Sequence, residues 1–190
     1  MDQDLLIDSL KEKIYQFFPK NIDGLSEAYT DTIEFKQLTE ICCHYRENKE
    51  PWSNFIKAVQ VAFPGKTIRD ETKLFIRERC YHLLLKVENS ASRLLTLNLT
   101  ISIIMPYYDM FILEFEKTDP DFAYLNLLQY KRDLSEYSEE VNKLQTLIGE
   151  NFSHQQLPGH LAEYIIPDIS YNSIQFNEFT MFNALFLDRL

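Results

Sequence analysis

The stretch Leu94-Leu95-Thr96-Leu97-Asn98-Leu99-Thr100-Ile101-Ser102-Ile103-Ile104-Met105 decides the fold. Leu95, Leu97, Leu99, Ile101, Ile103 and Met105 alternate with Thr96, Asn98, Thr100 and Ser102. A period of two belongs to an extended chain, where successive side chains point to opposite faces. The pattern predicts a long strand with one apolar face and one wet or partly wet face. Upstream, Tyr81, Leu83, Leu85 and Val87 alternate with Cys80, His82, Leu84 and Lys86, and Asn89-Ser90-Ala91-Ser92 supplies a hairpin connection. Downstream, Pro106 marks a turn or bulge before a third strand over Tyr107 to Phe115. Connections this short predict an antiparallel meander of about three to four strands, because parallel strands need a crossover of roughly a dozen residues or more.

On either side the period changes to that of a helix. The first helix is expected from about Asp4 to Phe17, with Leu6, Leu10, Ile14 and Phe17 on one stripe and Pro19 as its stop. A second starts near Asp31, with Glu34 placed for a reciprocal cap and Phe35, Leu38, Cys42 and Tyr45 as its apolar stripe. A third runs from Pro51 through Trp52, Phe55, Ile56 and Val59 to Pro64-Gly65. After Asp119-Pro120, read as a cap and a first-turn proline, helix is expected to return, with Leu134, Tyr137, Val141, Leu144 and Ile148 on one stripe. A short segment, Leu161 to Ile165, precedes a tail, Ile174 to Leu190, whose phenylalanines must dock on the body. The chain therefore reads as one α+β domain over 1–190: helical in 1–65, antiparallel strands in 66–117, mainly helical in 118–190, with the N- and C-terminal helices packed on one face of the sheet.

Composition narrows the function. Of 190 residues, 45% are hydrophobic and 25% charged, which suits a folded domain, and 29 acids against 19 bases give a net charge of -10. Cys42, Cys43 and Cys80 cannot all pair, and adjacent cysteines poorly meet disulfide geometry, so free thiols and the cytoplasm are expected. The acidic start Met1-Asp2-Gln3-Asp4 is unlike a secretory signal, and Leu94 to Met105 is too short and too interrupted for a membrane helix. The four glycines are scattered, which excludes the phosphate-cradling loops that need them closely spaced. Residues 57–93 carry eight bases against four acids, but the acidic remainder repels phosphate, so no nucleic-acid partner is expected.

No reactive set assembles from spacing. His44, His82, His154 and His160 form no His-x-x-x-His pair, the cysteines form no Cys-x-x-Cys pair, and the serine elbow Gly-x-Ser-x-Gly is absent. Cys80 and His82 share a strand face, a spacing that any sheet supplies. No catalytic, cofactor or metal residue is therefore assigned. The acidic last third has two readings: a solvated helix face, or a surface for a basic partner, since complementary charge speeds encounter and excludes wrong partners. The residues expected to meet such a partner are Asp133, Glu136, Glu139 and Glu140, with Tyr137, Tyr107 and Tyr108 as aromatic anchors.

The segment Ile166-Pro167-Asp168-Ile169-Ser170, with Phe179-Thr180-Met181-Phe182-Asn183-Ala184-Leu185-Phe186, resembles the ends of small acidic bacterial proteins of interbacterial toxin systems. These are immunity proteins or accessory proteins of type VI secretion effectors. The resemblance covers about 25 residues. It implies a non-enzymatic cytoplasmic protein that binds a toxin or secreted effector, and it carries over no functional residue. The first expectation is thus an immunity protein acting by steric cover and charge complementarity, and the close variant is a secretion adaptor. The competing class is an α+β pocket protein, a small-molecule carrier or an enzyme, enclosing a cavity over the Leu95-to-Met105 face. That face offers no polar group, so a filled core is expected there.

Overall fold

A computed structural model describes residues 3–90, 92–117 and 125–188. Four helices come first: α1 (Gln3–Ile14), α2 (Glu27–Asp31), α3 (Ile33–Glu47) and α4 (Glu50–Ala62). The stripe of α1 lies one residue from the expected one: Ile7, Leu10 and Ile14 are buried, and Phe18 beyond its end follows them, while Leu6 and Phe17 flank the core. The cap of α3 is Thr32, one residue after Asp31, whose hydroxyl accepts from the Phe35 N–H at 3.2 Å. Pro51 opens α4, where its missing N–H costs nothing.

The sheet follows as β1 (Ile68–Asp70), β2 (Cys80–Asn89), β3 (Arg93–Ser102), β4 (Tyr107–Lys117) and β5 (Leu125–Lys131), an antiparallel meander in sequence order. The strand expected over Leu94 to Met105 ends at Ser102, whose hydroxyl accepts from the N–H groups of Ile104 and Met105 and turns the chain. The meander runs one strand further than the expected return to helix: Leu125–Lys131 pairs with β4 across a bulge at Glu114 and Phe115. Asp119-Pro120 lies outside the described residues. Helix resumes at α5 (Ser138–Asn151), after a single 3-10 turn over Ser135–Tyr137. Then come β6 (Gln155–Gln156), parallel to the start of β4, and the short helices α6 (Gly159–Ala162) and α7 (Met181–Leu185).

Register fixes the two faces. Tyr81, Leu83 and Leu85 stand with Leu97, Leu99 and Ile101 on one of them. The expected helical layer covers that face: Trp52 of α4 stacks on Tyr81, ring centroids 4.8 Å apart, and Phe55 meets Phe152 at the end of α5 edge to face. The other face was expected to be wet. It is dry instead, with Thr96, Asn98 and Thr100 at 0% exposure, because the C-terminal tail lies over it and Phe182 of α7 sits on Phe111 of β4.

A buried cation pins the tail. The side chain of Arg79 is 0% exposed; it donates to the carbonyls of Ile76 and Asn183, pairs with Asp188 at 2.6 Å, and lies against the rings of Phe18 and Tyr171. Burial works against its charge, and the Asp188 carboxylate, with Tyr171 and Cys42 beside it, outweighs that. The N-terminal loop seats on the same tail. Tyr15 donates to Asp168 at 2.8 Å, and Gly24 passes so close to Tyr171 that an added Cβ would lie 2.5 Å from its Cα.

Replacing Arg79 by Met leaves Asp188 without its cation and two buried carbonyls without their donor, and the expected cost is roughly 3–5 kcal/mol of stability, read as a lower urea midpoint. A second expectation concerns Asp109 of β4, 1% exposed, whose carboxyl burial pushes up to about 6 against the pull of Arg132 at 2.6 Å. The folded state then holds a proton that the unfolded chain has lost, so this group's contribution is full below about pH 4 and is lost as pH rises through about 6. Relative to Asp109→Asn, the wild type should lose on the order of 3 kcal/mol across that window, measured by urea unfolding at stepped pH. A flat difference would refute it.

Candidate functional site

The dry polar face is satisfied bond by bond. Thr96 Oγ1 donates to the Leu113 carbonyl at 3.4 Å, and Asn98 Nδ2 donates to Thr96 Oγ1 and to the Thr96 carbonyl at 2.9 and 3.0 Å. A carbonyl only accepts, so the Asn98 amide is fixed with Oδ1 toward His82, 3.0 Å from its Nε2. His82 Nε2 must therefore carry the hydrogen, and in the neutral ring the lone pair stands on Nδ1. Burial holds the His82 pKa below its ordinary value, with Asn98 opposing. No described residue bonds to Nδ1.

His82 lines a hollow of about 490 Å³ between this face and the tail. Its floor is His82 and Leu84 of β2, Asn98 of β3, and Phe111 and Leu113 of β4. Its walls are the segment 71–78, with Glu71, Lys73, Arg77 and Glu78, and the tail, with Asn172, Ser173, Leu187 and Asp188. Every wall acid has a cation: Glu71 meets Arg69 at 2.8 Å, Glu78 meets Lys73 at 3.0 Å, and Asp188 meets Arg79. Cys80 is not among the lining residues. It is 0% exposed and burial drives its thiol far up, while Cys42 is pushed up to about 11, so neither is a thiolate at neutral pH. Among the described residues no three His, Cys, Asp or Glu side chains come together as a metal site would require.

A larger hollow, about 640 Å³, opens at the other face where α3 ends and α4 begins. It is lined by Tyr45, Tyr81, Met105, Phe152 and His154, and by Ile101 and Ile103. The Leu95-to-Met105 face is thus filled at Leu97 and Leu99 but hollowed at its far end, which the expectation of a filled core missed. His154 donates Nε2–H to the Ser102 carbonyl, and the polar lining residues His44, Asn48 and Glu50 sit at the exposed rim.

The residues expected to meet a partner divide. Asp133, Glu136 and Glu139 are exposed, Tyr137 and Glu140 are half-buried, and Asp133, Glu136 and Tyr137 share a small hollow of about 190 Å³ beside Leu95 and Ile112. Glu139 pairs with Lys143 one turn on, and Glu140 with Lys66. Asp133 accepts from the Ser135 N–H, which lowers its pKa. Tyr107 and Tyr108 are corrected: at 6% and 7% exposure they belong to the core, because β6 lies along the start of β4. The surface feature that sequence reasoning missed is beside the acids. Strand β5 ends the meander, no described strand pairs with its outer edge, and Leu127 and Leu128 are 45% and 57% exposed. No clean alternation marks it, because Leu127 and Leu128 are adjacent and Gln129 follows them.

The residues that carry the resemblance to toxin-system proteins are mostly interior. Ile166, Ile169, Ser170, Phe179, Met181, Ala184, Leu185 and Phe186 are buried, and Thr180 and Asn183 form a reciprocal cap on α7. Comparison with protein-family models, with curated proteins and with solved structures finds no match to this chain. No helix among the described residues is long and apolar enough to cross a membrane.

The Asn98 contact makes a checkable statement about His82. In nitrogen-detected spectra its neutral ring should be the Nε2–H tautomer and should titrate below about 6.5. Asn98→Ala should release the tautomer toward a mixture. An Nδ1–H ring in the wild type would contradict the bond network.

Proposed function

We propose that this chain is a non-enzymatic binding protein of the cytoplasm that covers a toxin-like protein partner, an immunity protein in the sense implied by the sequence resemblance. The observation that carries the reading is the juxtaposition of an open sheet edge with exposed acids: β5, with Leu127 and Leu128 exposed, leads directly into Asp133, Glu136 and Glu139. An unpaired edge is a template for a further strand, and a partner's extended segment can add there through main-chain hydrogen bonds. The acids select a basic segment and repel an acidic one, which governs the rate of encounter more than the final affinity. Cover without chemistry is also consistent with the deeply buried thiols of Cys42 and Cys80. A secretion adaptor would use the same edge and differ only in leaving its effector active. The pocket-protein reading draws on a separate observation, the hollow above His82.

Co-expression with the product of the neighbouring open reading frame tests the proposal. The chain should restore growth, and the pair should purify as a 1:1 complex whose association slows as salt rises. Asp133→Lys, Glu136→Lys and Glu139→Lys together should slow association by roughly tenfold or more at low salt, and Leu128→Pro should disrupt the added strand. Full protection by both folded variants would refute docking at this edge. A complex without protection would favour the adaptor.

A further inference from the structure

The hollow above His82 has the build of a small-molecule site. Its volume of about 490 Å³ falls within the range of roughly 300–1,000 Å³ usual for such sites, and it combines an apolar floor with a few placed polar groups. Three features define what would fit. The first is an acceptor: with Nε2 bound to Asn98, the neutral ring of His82, a lining residue, keeps its remaining lone pair at Nδ1, which no described residue occupies. The second is the sign of the wall. The side chains of Glu71 and Glu78 are 28% and 21% exposed, whereas their partners Arg69 and Lys73 are 61% and 59% exposed. The carboxylates sit deeper than the cations that balance them, and the outward cations are screened by solvent. Asp188 is already matched by Arg79 beneath it, and Arg77, the remaining cation of the wall, is exposed, so the deeper charges are the carboxylates. The third is carbon: Leu84, Phe111 and Leu113 line the floor beside the imidazole.

We propose that this hollow binds a small organic amine, whose ammonium group donates to His82 Nδ1 and faces Glu78 while its carbon chain lies on Leu84, Phe111 and Leu113. An anion would meet a lone pair and inward carboxylates. A bare metal ion would lack a third close ligand among the described residues. A neutral alcohol would satisfy His82 but gain nothing from Glu78. The inference is independent of partner docking, since it uses neither β5 nor the acids after it.

The test titrates the full chain, labelled at its histidine nitrogens, with n-butylammonium, n-butanol and butyrate, three probes sharing one carbon chain. The His82 signals are assigned from His82→Gln. Butylammonium should shift the His82 Nδ1 signal saturably, with Kd roughly tenfold or more below that of either other probe, as one charge-assisted contact gives. Glu78→Gln, close in shape, should raise that Kd by about tenfold. Lys73→Gln, which removes the outward cation from Glu78, should lower it severalfold. Equal binding of butanol or butyrate, saturation that leaves His82 unshifted, or no saturable response would overturn the proposal. Unchanged binding in folded Glu78→Gln would do so too.

Discussion

A guanidinium with no contact to solvent is the constraint from which the arrangement of this molecule follows. Arg79 stands just before β2, and its two terminal nitrogens meet the carbonyls of Ile76 and Asn183 and the Asp188 carboxylate, with the rings of Phe18 and Tyr171 on its faces. A buried charge is tolerable only where its partners are all in place, and these come from the end of α1, the loop before β2 and the last residues of the chain. The main chain repeats the tie. Arg79 N–H donates to the Phe186 carbonyl at 2.7 Å, and Glu78 bridges Leu187. The tail therefore has one seat, and that seat lies over the polar face of the sheet.

Seating the tail there dries Thr96, Asn98 and Thr100, and dry polar groups must find partners within the protein. They do so in sequence, from the Leu113 carbonyl through Thr96 and Asn98 to His82, and each step removes a choice from the next. The last step leaves an imidazole whose orientation and tautomer are set by the fold rather than by solvent. Placing it at the floor of a hollow is a consequence of the tail's path. Asn172, in the left-handed region with φ 50°, donates to Asp188 at 2.7 Å and ties two parts of the tail together at the wall of that hollow.

The central strand was legible because its alternation is unbroken over Leu94 to Ser102, and the helices because their stripes and stops coincide. What failed to show has physical reasons. The alternation of Thr96 and Asn98 with leucines reports direction, not water, so a face covered by residues some eighty positions later reads as exposed. The strand over Leu125–Lys131 was hidden by the proline and the helical stripe that bracket it. Tyr107 and Tyr108 follow a proline and look like a surface turn, but two residues of β6 from beyond α5 bury them. The acids at 133, 136 and 139 were legible as exposed, since they recur every three residues along the outward side of the approach to α5 and its first turn. The hollow was not legible at all: its wall draws on 71–78 and 172–188, which no spacing connects.

The two surfaces use different parts of one sheet, the hollow resting on β2, β3 and β4 and the exposed edge lying on β5. The order β1 to β5 puts the segment following β1 at one edge and the open strand at the other, with three strands between them. Those strands pair over nearly their whole length, Cys80 to Asn89 against Leu94 to Ser102 and Arg93 to Ile101 against Tyr108 to Glu116. Coupling between distant sites needs an element with two arrangements of similar free energy. A sheet covered by packed elements on both faces and pinned by a buried ion pair is a poor candidate for one, because displacing the tail exposes Arg79 and Asp188 together. The parts of the hollow outside the paired strands are its walls, the tail and the segment 71–78, and the edge at β5, which no described strand covers, presents its own charge and its own backbone.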